Sequence, residues 1–245
     1  MRFRLFASRR VVSATVLTAA LCATAQWASL CRASQTHYYP FSGDASDAIG
    51  TADGTLINEA SISGGVLLLD GVDDFVQFGD LIVPTSGSFS VAMFARQTTP
   101  QSTYIELISQ GSGPGFYLGH DPSGIIRASD SWLSTGVLFP SDGEFHHYAL
   151  TVDSVAGESK LYVDGSLSAT LNAAIIMSAG GTHTRFGRQY DGHAEYFGGA
   201  LDDVRIYNHT LTRDEVARLA VPEPTTIALS ILAVSVAMLS SRRRR

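Results

Sequence analysis

The sequence predicts an all-β protein: an antiparallel β-sandwich with one short C-terminal helix, followed by a terminal transmembrane helix. Three observations carry this. Short apolar runs are punctuated by Gly, Asp, Ser and Pro, with no long helical period. Phe89-Ser-Val-Ala-Met alternates with period two, and Leu161-Tyr-Val stops at the turn signal Asp164-Gly165. From Thr225 to Ser241 there is no charge, and Arg242 to Arg245 close the chain.

Residues 1–34 read as a secretory signal. Arg2, Arg4, Arg9 and Arg10 form a basic start, Val11 to Leu21 is apolar, and Ala23-Thr24-Ala25 fits a small-x-small cleavage site, with a later site near Ser34 as the alternative. Strands follow near Tyr38–Phe41, Gly65–Leu69, Phe75–Phe78, Phe89–Arg96, Ile105–Ser109 and Phe116–Gly119. Further ones are expected near Ile125–Ala128, Phe145–Val152, Ser159–Val163, Arg185–Gly187 and Ala200–Tyr207. Thr212 and Glu215 make a Thr-x-x-Glu capping box ahead of Val216 and Leu219, which starts the helix. Residues 35–220 form one domain, with no internal repeat. The tail, 221–245, has an uncharged run near the lower limit for a bilayer span, and its arginines keep that end cytoplasmic, so the domain lies outside the inner membrane.

Charge and cysteine narrow the function. Nine of the 17 Lys and Arg lie in the leader and tail, leaving eight against 22 acids in the domain, a formal −14. Such a surface repels phosphate backbones, which excludes nucleic acid and favours cations or neutral ligands. Both cysteines, Cys22 and Cys31, lie in or beside the leader, so no disulfide supports the domain.

Four segments carry a family resemblance. Gly65-Val-Leu-Leu-Leu-Asp-Gly-Val-Asp-Asp-Phe-Val-Gln-Phe, Phe89-Ser-Val-Ala-Met-Phe-Ala-Arg, Gly143-Glu-Phe-His-His-Tyr-Ala-Leu-Thr-Val with Leu161-Tyr-Val-Asp-Gly, and Gly199-Ala-Leu-Asp-Asp-Val-Arg-Ile-Tyr-Asn resemble, in order, laminin-G-like members of the concanavalin A-like jelly rolls. The tail, Val221-Pro-Glu-Pro followed by a span and arginines, resembles the PEP-CTERM sorting signal. That likeness implies cleavage near Pro222, Glu223 and Pro224 by a membrane exosortase, a transient inner-membrane anchor, and delivery to the cell surface or matrix among exopolysaccharide; the other reading of the tail is a permanent anchor.

Site candidates follow. Alternation along Ala200–Tyr207 places Asp202 on the face of Val204 and Ile206, where a carboxylate requires a cation or backbone donors. The resemblance implies a structural calcium held by Asp202 with the Asp70-Gly71 loop; the alternative makes Asp70, Asp73 and Asp74 turn residues. Trp132, and Tyr190, Asp191, His193 and Tyr196 of a polar loop, are the carbohydrate-binding candidates, because rings on loops pack against sugars; the alternative is that they roof the core.

No catalytic residue is assigned. The Glu-x-Asp-x-x-Glu pattern of the glucanases is absent, Glu106 stands alone, Glu144 sits at a turn, and His146 and His147 face opposite ways. The expected function is therefore binding of carbohydrate or exopolysaccharide by an exported module that is not an enzyme. A glycoside hydrolase or lyase using acids distant in sequence, and a purely structural matrix protein, are the alternatives.

Overall fold

The computed structural model describes residues 35–111, 115–128, 133–175, 183–189, 193 and 195–221. In chain order the strands are β1 (Gln35–Tyr39), β2 (Thr55–Ile57), β3 (Ser61–Ser63), β4 (Val66–Asp70), β5 (Phe75–Gln77), β6 (Phe89–Gln97), β7 (Ile105–Gln110) and β8 (Phe116–His120). They continue as β9 (Ile125–Ala128), β10 (Leu133–Leu138), β11 (His146–Asp153), β12 (Glu158–Val163), β13 (Ser166–Leu171), β14 (Thr184–Phe186) and β15 (Gly198–Tyr207), and the helix α1 (Arg213–Leu219) follows.

Two antiparallel sheets form the sandwich. One has eight strands in the order β13-β12-β11-β6-β15-β4-β3, with β1 also on β15; the other has seven, β10-β9-β8-β7-β14-β5-β2. On one side of β15, β4 pairs with Gly198–Leu201 and β1 with Val204–Tyr207, so two short strands share a single edge. This is the expected all-β sandwich with its short helix. Among the described residues no helix is long and apolar enough to cross a membrane; the predicted span and Pro222, Glu223 and Pro224 lie outside them.

The core lies between the sheets. Tyr39, Phe78 and Phe186 meet edge to face, with ring centroids 4.9, 5.3 and 4.6 Å apart, and each such ring contributes roughly 1.5–3 kcal/mol through burial. The Tyr39 hydroxyl donates to the Ala52 carbonyl at 2.9 Å, which makes its burial tolerable. A second, smaller core covers the outer face of the eight-stranded sheet. There Val216 of α1 and Leu211 pack on Tyr207, Ala92, Ala149 and Tyr162. The capping box forms as read: the Thr212 side chain accepts from the Glu215 amide at 3.3 Å, and the Glu215 carboxylate accepts from the Thr212 amide at 2.8 Å.

Four strands are absent from the sequence reading: β2, β3, β10 and β13. Their residues are mostly exposed or half-buried. Each is short or lies near a sheet edge, where little apolar surface is buried and the alternation signal fades.

The predicted facing of Asp202 is corrected by a bulge. Against β6, Asp202 pairs with Phe94 and Arg205 with Ala92, so β15 carries one extra residue. Leu201 and Val204 consequently both enter the core, and Asp202 does not share the face of Val204 and Ile206. Asp203 takes the left-handed conformation (φ 50°) that the bulge needs. It is held there by the Tyr38 hydroxyl, which donates to its Oδ1, and by Arg205 at 3.3 Å.

Candidate functional site

The outer face of the seven-stranded sheet concentrates fixed polar groups. Glu106 on β7, Gly119 on β8 and Arg127 on β9 are aligned across three adjacent strands. Because Gly119 has no side chain, Arg127 reaches over it and donates from Nη2 to Glu106 Oε1 at 2.6 Å. The same nitrogen donates to Glu195 Oε2 at 3.1 Å. Two carboxyls separated by 89 positions in the chain thus converge on one guanidinium. The Arg127 plane lies 4.3 Å from the Tyr104 ring and 4.5 Å from that of Tyr117, a cation–π arrangement that fixes its orientation.

Burial dominates the electrostatics of Glu106. Glu106 is fully buried, and burial pushes its carboxyl well above the usual range; Arg127 opposes the shift only in part, and Glu195 beside it adds to it.

The loop that brings Glu195 also brings predicted residues. His193 is exposed, its Nδ1 4.0 Å from Glu195 Oε1. Tyr196 is half-buried, its ring 6.4 Å from that of Phe75, with the Arg188 guanidinium over both, at 5.3 and 4.8 Å. Gln101 holds the loop down by donating to the Tyr196 carbonyl at 2.8 Å and accepting from the Gly198 amide at 2.9 Å. Of the five predicted ligand residues, His193 stands beside Glu195 at the Glu106–Arg127 pair, and Tyr196 packs further along the sheet against Phe75 and Arg188; Trp132, Tyr190 and Asp191 lie outside the described residues. Sequence reasoning took Glu106 as isolated and overlooked Glu195, Arg127, Tyr104 and Arg188. The one available signal was Glu195 inside the polar loop.

The predicted metal residues fall at two places. Asp70 ends β4 opposite Gly198, whereas Asp202 lies four residues further along β15, roughly 13 Å away at the rise of a strand. Asp70 and Asp202 do not serve one ion. Asp70 instead meets Asp73 and Asp74, each offering a ligand atom within 4.8 Å of the others. Asp70 Oδ1 accepts from the Val72, Asp73 and Asp74 amides at 2.8, 3.3 and 3.4 Å, and Asp74 accepts from Glu59 and Asp70 at 2.8 and 3.2 Å. Burial raises the Asp70 carboxyl, but those amides outweigh it and leave the group lowered. Asp74 is raised, by burial and then by the charge of Asp70. Gly71 turns the chain at φ 78°, and a Cβ there would meet the Gly198 Cα at 2.8 Å.

Asp202 stands apart on the outer face of the other sheet. Its Oδ1 accepts from the Asp203 amide at 2.7 Å, and burial, then the Asp203 charge, push its carboxyl from 3.8 up to about 7. The folded chain thus holds a proton that the unfolded chain releases, so this group's contribution is present at low pH and is lost as pH rises through about 7. Asp202→Asn is expected to raise the melting temperature at pH 8, by about 1–2 kcal/mol of stability after solvent screening, and to change nothing at pH 4. Equal melts of variant and parent at pH 8 would remove the strain assigned to this carboxylate.

The histidines behave as the alternation implies. His146 is held by Asp164 at 2.7 Å and Asp142 at 3.1 Å, while His147 is buried against Phe94 and lowered to about 4 by burial and then by Arg205.

A family model described as concanavalin A-like lectin/glucanases superfamily, of the laminin-G type, matches residues 70–217. The chain belongs to this superfamily. In a curated relative, the rat (Rattus norvegicus) sushi, von Willebrand factor type A, EGF and pentraxin domain-containing protein 1, 167 residues are 25% identical; they make up 64% of this chain and 4% of that protein, so the match spans a small part of the relative.

Solved superfamily-like folds follow the same outline. Domain 4 of AbnA, a GH43 extracellular arabinanase from Geobacillus stearothermophilus in complex with arabinotriose, is 23% identical, with a TM-score of 0.62 over 77% of this chain and 98% of that one. The binding domain of botulinum neurotoxin DC in complex with SialylT is 15% identical, with a TM-score of 0.63 over 77% of this chain and 51% of that one. A Trypanosoma rangeli sialidase is 17% identical, with a TM-score of 0.61 over 77% and 32%. At these identities the likeness is one of fold.

Proposed function

We propose that the chain is an exported, non-catalytic module of the concanavalin A-like superfamily that binds extracellular polysaccharide. The observation that carries this reading is the loop of His193, Glu195 and Tyr196, tied through Glu195 to the buried Glu106–Arg127 pair and packed through Tyr196 on Phe75: donors and acceptors held next to aromatic rings, the combination a sugar requires. The arabinotriose held by the arabinanase domain and the SialylT held by the toxin binding domain support a carbohydrate ligand for this fold. Absence of turnover is supported by Glu106, which is fully buried and tied to Arg127, so that a glycosidic oxygen has no route to it.

A calcium ion is part of the proposal. The donor set of Asp70, Asp73 and Asp74 is all oxygen and strongly negative, which suits a hard cation, and these three residues would hold it. Bound there, calcium supplies positive charge that relieves the repulsion between Asp70 and Asp74.

The test is a glycan array with the full chain in mild detergent, in calcium and again with chelator. Binding to a defined saccharide, weakened about tenfold by Tyr196→Ala, is the expected result; a blank array from well-folded protein ends the carbohydrate reading. The chelator is expected to lower the melting temperature, and an unchanged melt ends the metal proposal. The converging carboxyls favour one second reading, hydrolysis. Saccharide cleavage abolished by Glu195→Gln would replace binding with catalysis.

The tail extends the proposal to sorting by an exosortase at the inner membrane. Replacing Pro222, Glu223 and Pro224 by alanine is expected to leave an unprocessed, membrane-bound form, readable as a mass increase over the processed product. Identical processing of both forms would refute it.

A further inference from the structure

At one end of the sandwich, between the ends of β6, β8 and β10, a cleft of about 370 Å³ opens between the sheets, within the ~300–1,000 Å³ typical of small-ligand sites. Its floor is built from buried polar groups. His120 Nδ1 lies 2.8 Å from the Asp121 carbonyl, which can only accept, so Nδ1 carries the proton and Nε2 accepts from Gln97 Nε2 at 3.2 Å. Burial lowers the His120 pKa, which keeps the ring neutral. Gln97 is thereby oriented, and its Nε2 also lies 3.5 Å from Gln101 Oε1. Both side chains are more than nine-tenths buried, at 8% and 2% exposed for Gln97 and His120.

The walls are apolar on one side and hydroxylic on the other. Phe139 stacks on Tyr148 at 4.9 Å and lies 5.3 Å from the His120 ring, so it is rigid; Leu138 beside it is 66% exposed. Ser123 and Ser141 stand at the rim, both exposed. Among the described residues no Asp, Glu, Lys or Arg lines the cleft, in a domain whose formal charge is −14. A charged ligand would find no counter-ion here, whereas a neutral polyhydroxylated ring can place its apolar face on Leu138 and Phe139 and its hydroxyls on Gln97 and the serines.

We propose that this cleft is a second binding site, distinct from the sheet face, that takes one neutral sugar residue such as the end of a polysaccharide chain. The inference rests on the carbohydrate reading and deepens it. Gln101 links the two sites, because its side chain holds the Tyr196 carbonyl and the Gly198 amide while lining the cleft. A chain end seated in the cleft can continue over the rim toward the loop of Tyr196.

The test uses isothermal titration of the full chain in mild detergent with methyl glycosides of arabinose, glucose and galactose, and with glucuronate. Ser123→Arg and Ser141→Trp fill the cleft from exposed rim positions, leave the core untouched, and are checked by their melts. Saturable binding of a neutral glycoside is expected, weakened at least about tenfold by either variant, with glucuronate unbound and Tyr196→Ala without effect on the monosaccharide. Binding that survives both rim variants, or a preference for glucuronate, would overturn the second site. So would polysaccharide binding by a chain that ignores every neutral glycoside, which would leave the sheet-face reading standing. A chain that binds no glycan of any kind would end both.

Discussion

Replacing Arg127 by alanine is expected to cost about 3 kcal/mol of stability, in line with breaking a buried ion pair, or about 6–12 °C in melting temperature for a domain of this size. Arg127 serves two carboxyls at once, and Glu106 has no solvent to turn to. Without the guanidinium, Glu106 can remain buried only by keeping its proton, so the loss should deepen as pH rises. The linkage has the same sign in the parent. Glu106 is raised in the folded state, so its contribution is present at low pH and falls away as pH climbs through the folded value. Glu106→Gln should flatten that dependence, and the double variant with Arg127→Ala should lose less than the sum of the singles. Additive losses in this cycle would show that Arg127 is held by its tyrosines rather than by Glu106.

Gly119→Ala is expected to cost about 3 kcal/mol, at the upper end for overpacking. A Cβ at this position would lie 1.9 Å from the Ile105 carbonyl oxygen and 2.7 Å from Glu106 Oε2. The carbonyl belongs to a strand paired with β8 and cannot swing aside as a flexible side chain would. Relief requires β7 and β8 to move apart, which also pulls Glu106 away from Arg127, so weaker glycan binding should accompany the lower melt. Gly79→Ala is the control, since nothing lies within 4 Å of a Cβ there. A Gly119→Ala melt equal to that of the control would mean that the sheet yields without cost.

The legible parts of the fold were those with local causes. The capping box of Thr212 and Glu215 needs only four consecutive residues, and it forms as read. The buried strands β6, β11 and β15 carry continuous apolar or alternating runs, which survive any arrangement of neighbours. By contrast, β10 and β13 contain only half-buried and exposed residues, so partners along one strand edge, rather than burial, make them strands.

The site was legible only in part, for the same reason. His193 and Tyr196 could be singled out because a polar loop with rings is a local pattern. Glu106 could not be paired, since its partners Arg127 and Glu195 lie 21 and 89 positions away and meet it only once β7, β8 and β9 are side by side. Strict alternation put Asp202 on the wrong face because a bulge inserts one residue, and a period of two has no memory of phase across such an insertion.

By itself, then, the sequence determined the β-sandwich, the capped helix, the acidic domain and the family, all of which rest on composition, short-range period and ordered motifs. Tertiary structure alone decided which acids meet, which glycine makes room for them, that Asp70 and Asp202 are separate, and that a neutral cleft opens beside Gln97 and His120. The physical reason is that these depend on strand register and sheet order, where contacts join residues far apart in the chain and a shift of one residue exchanges one face for the other.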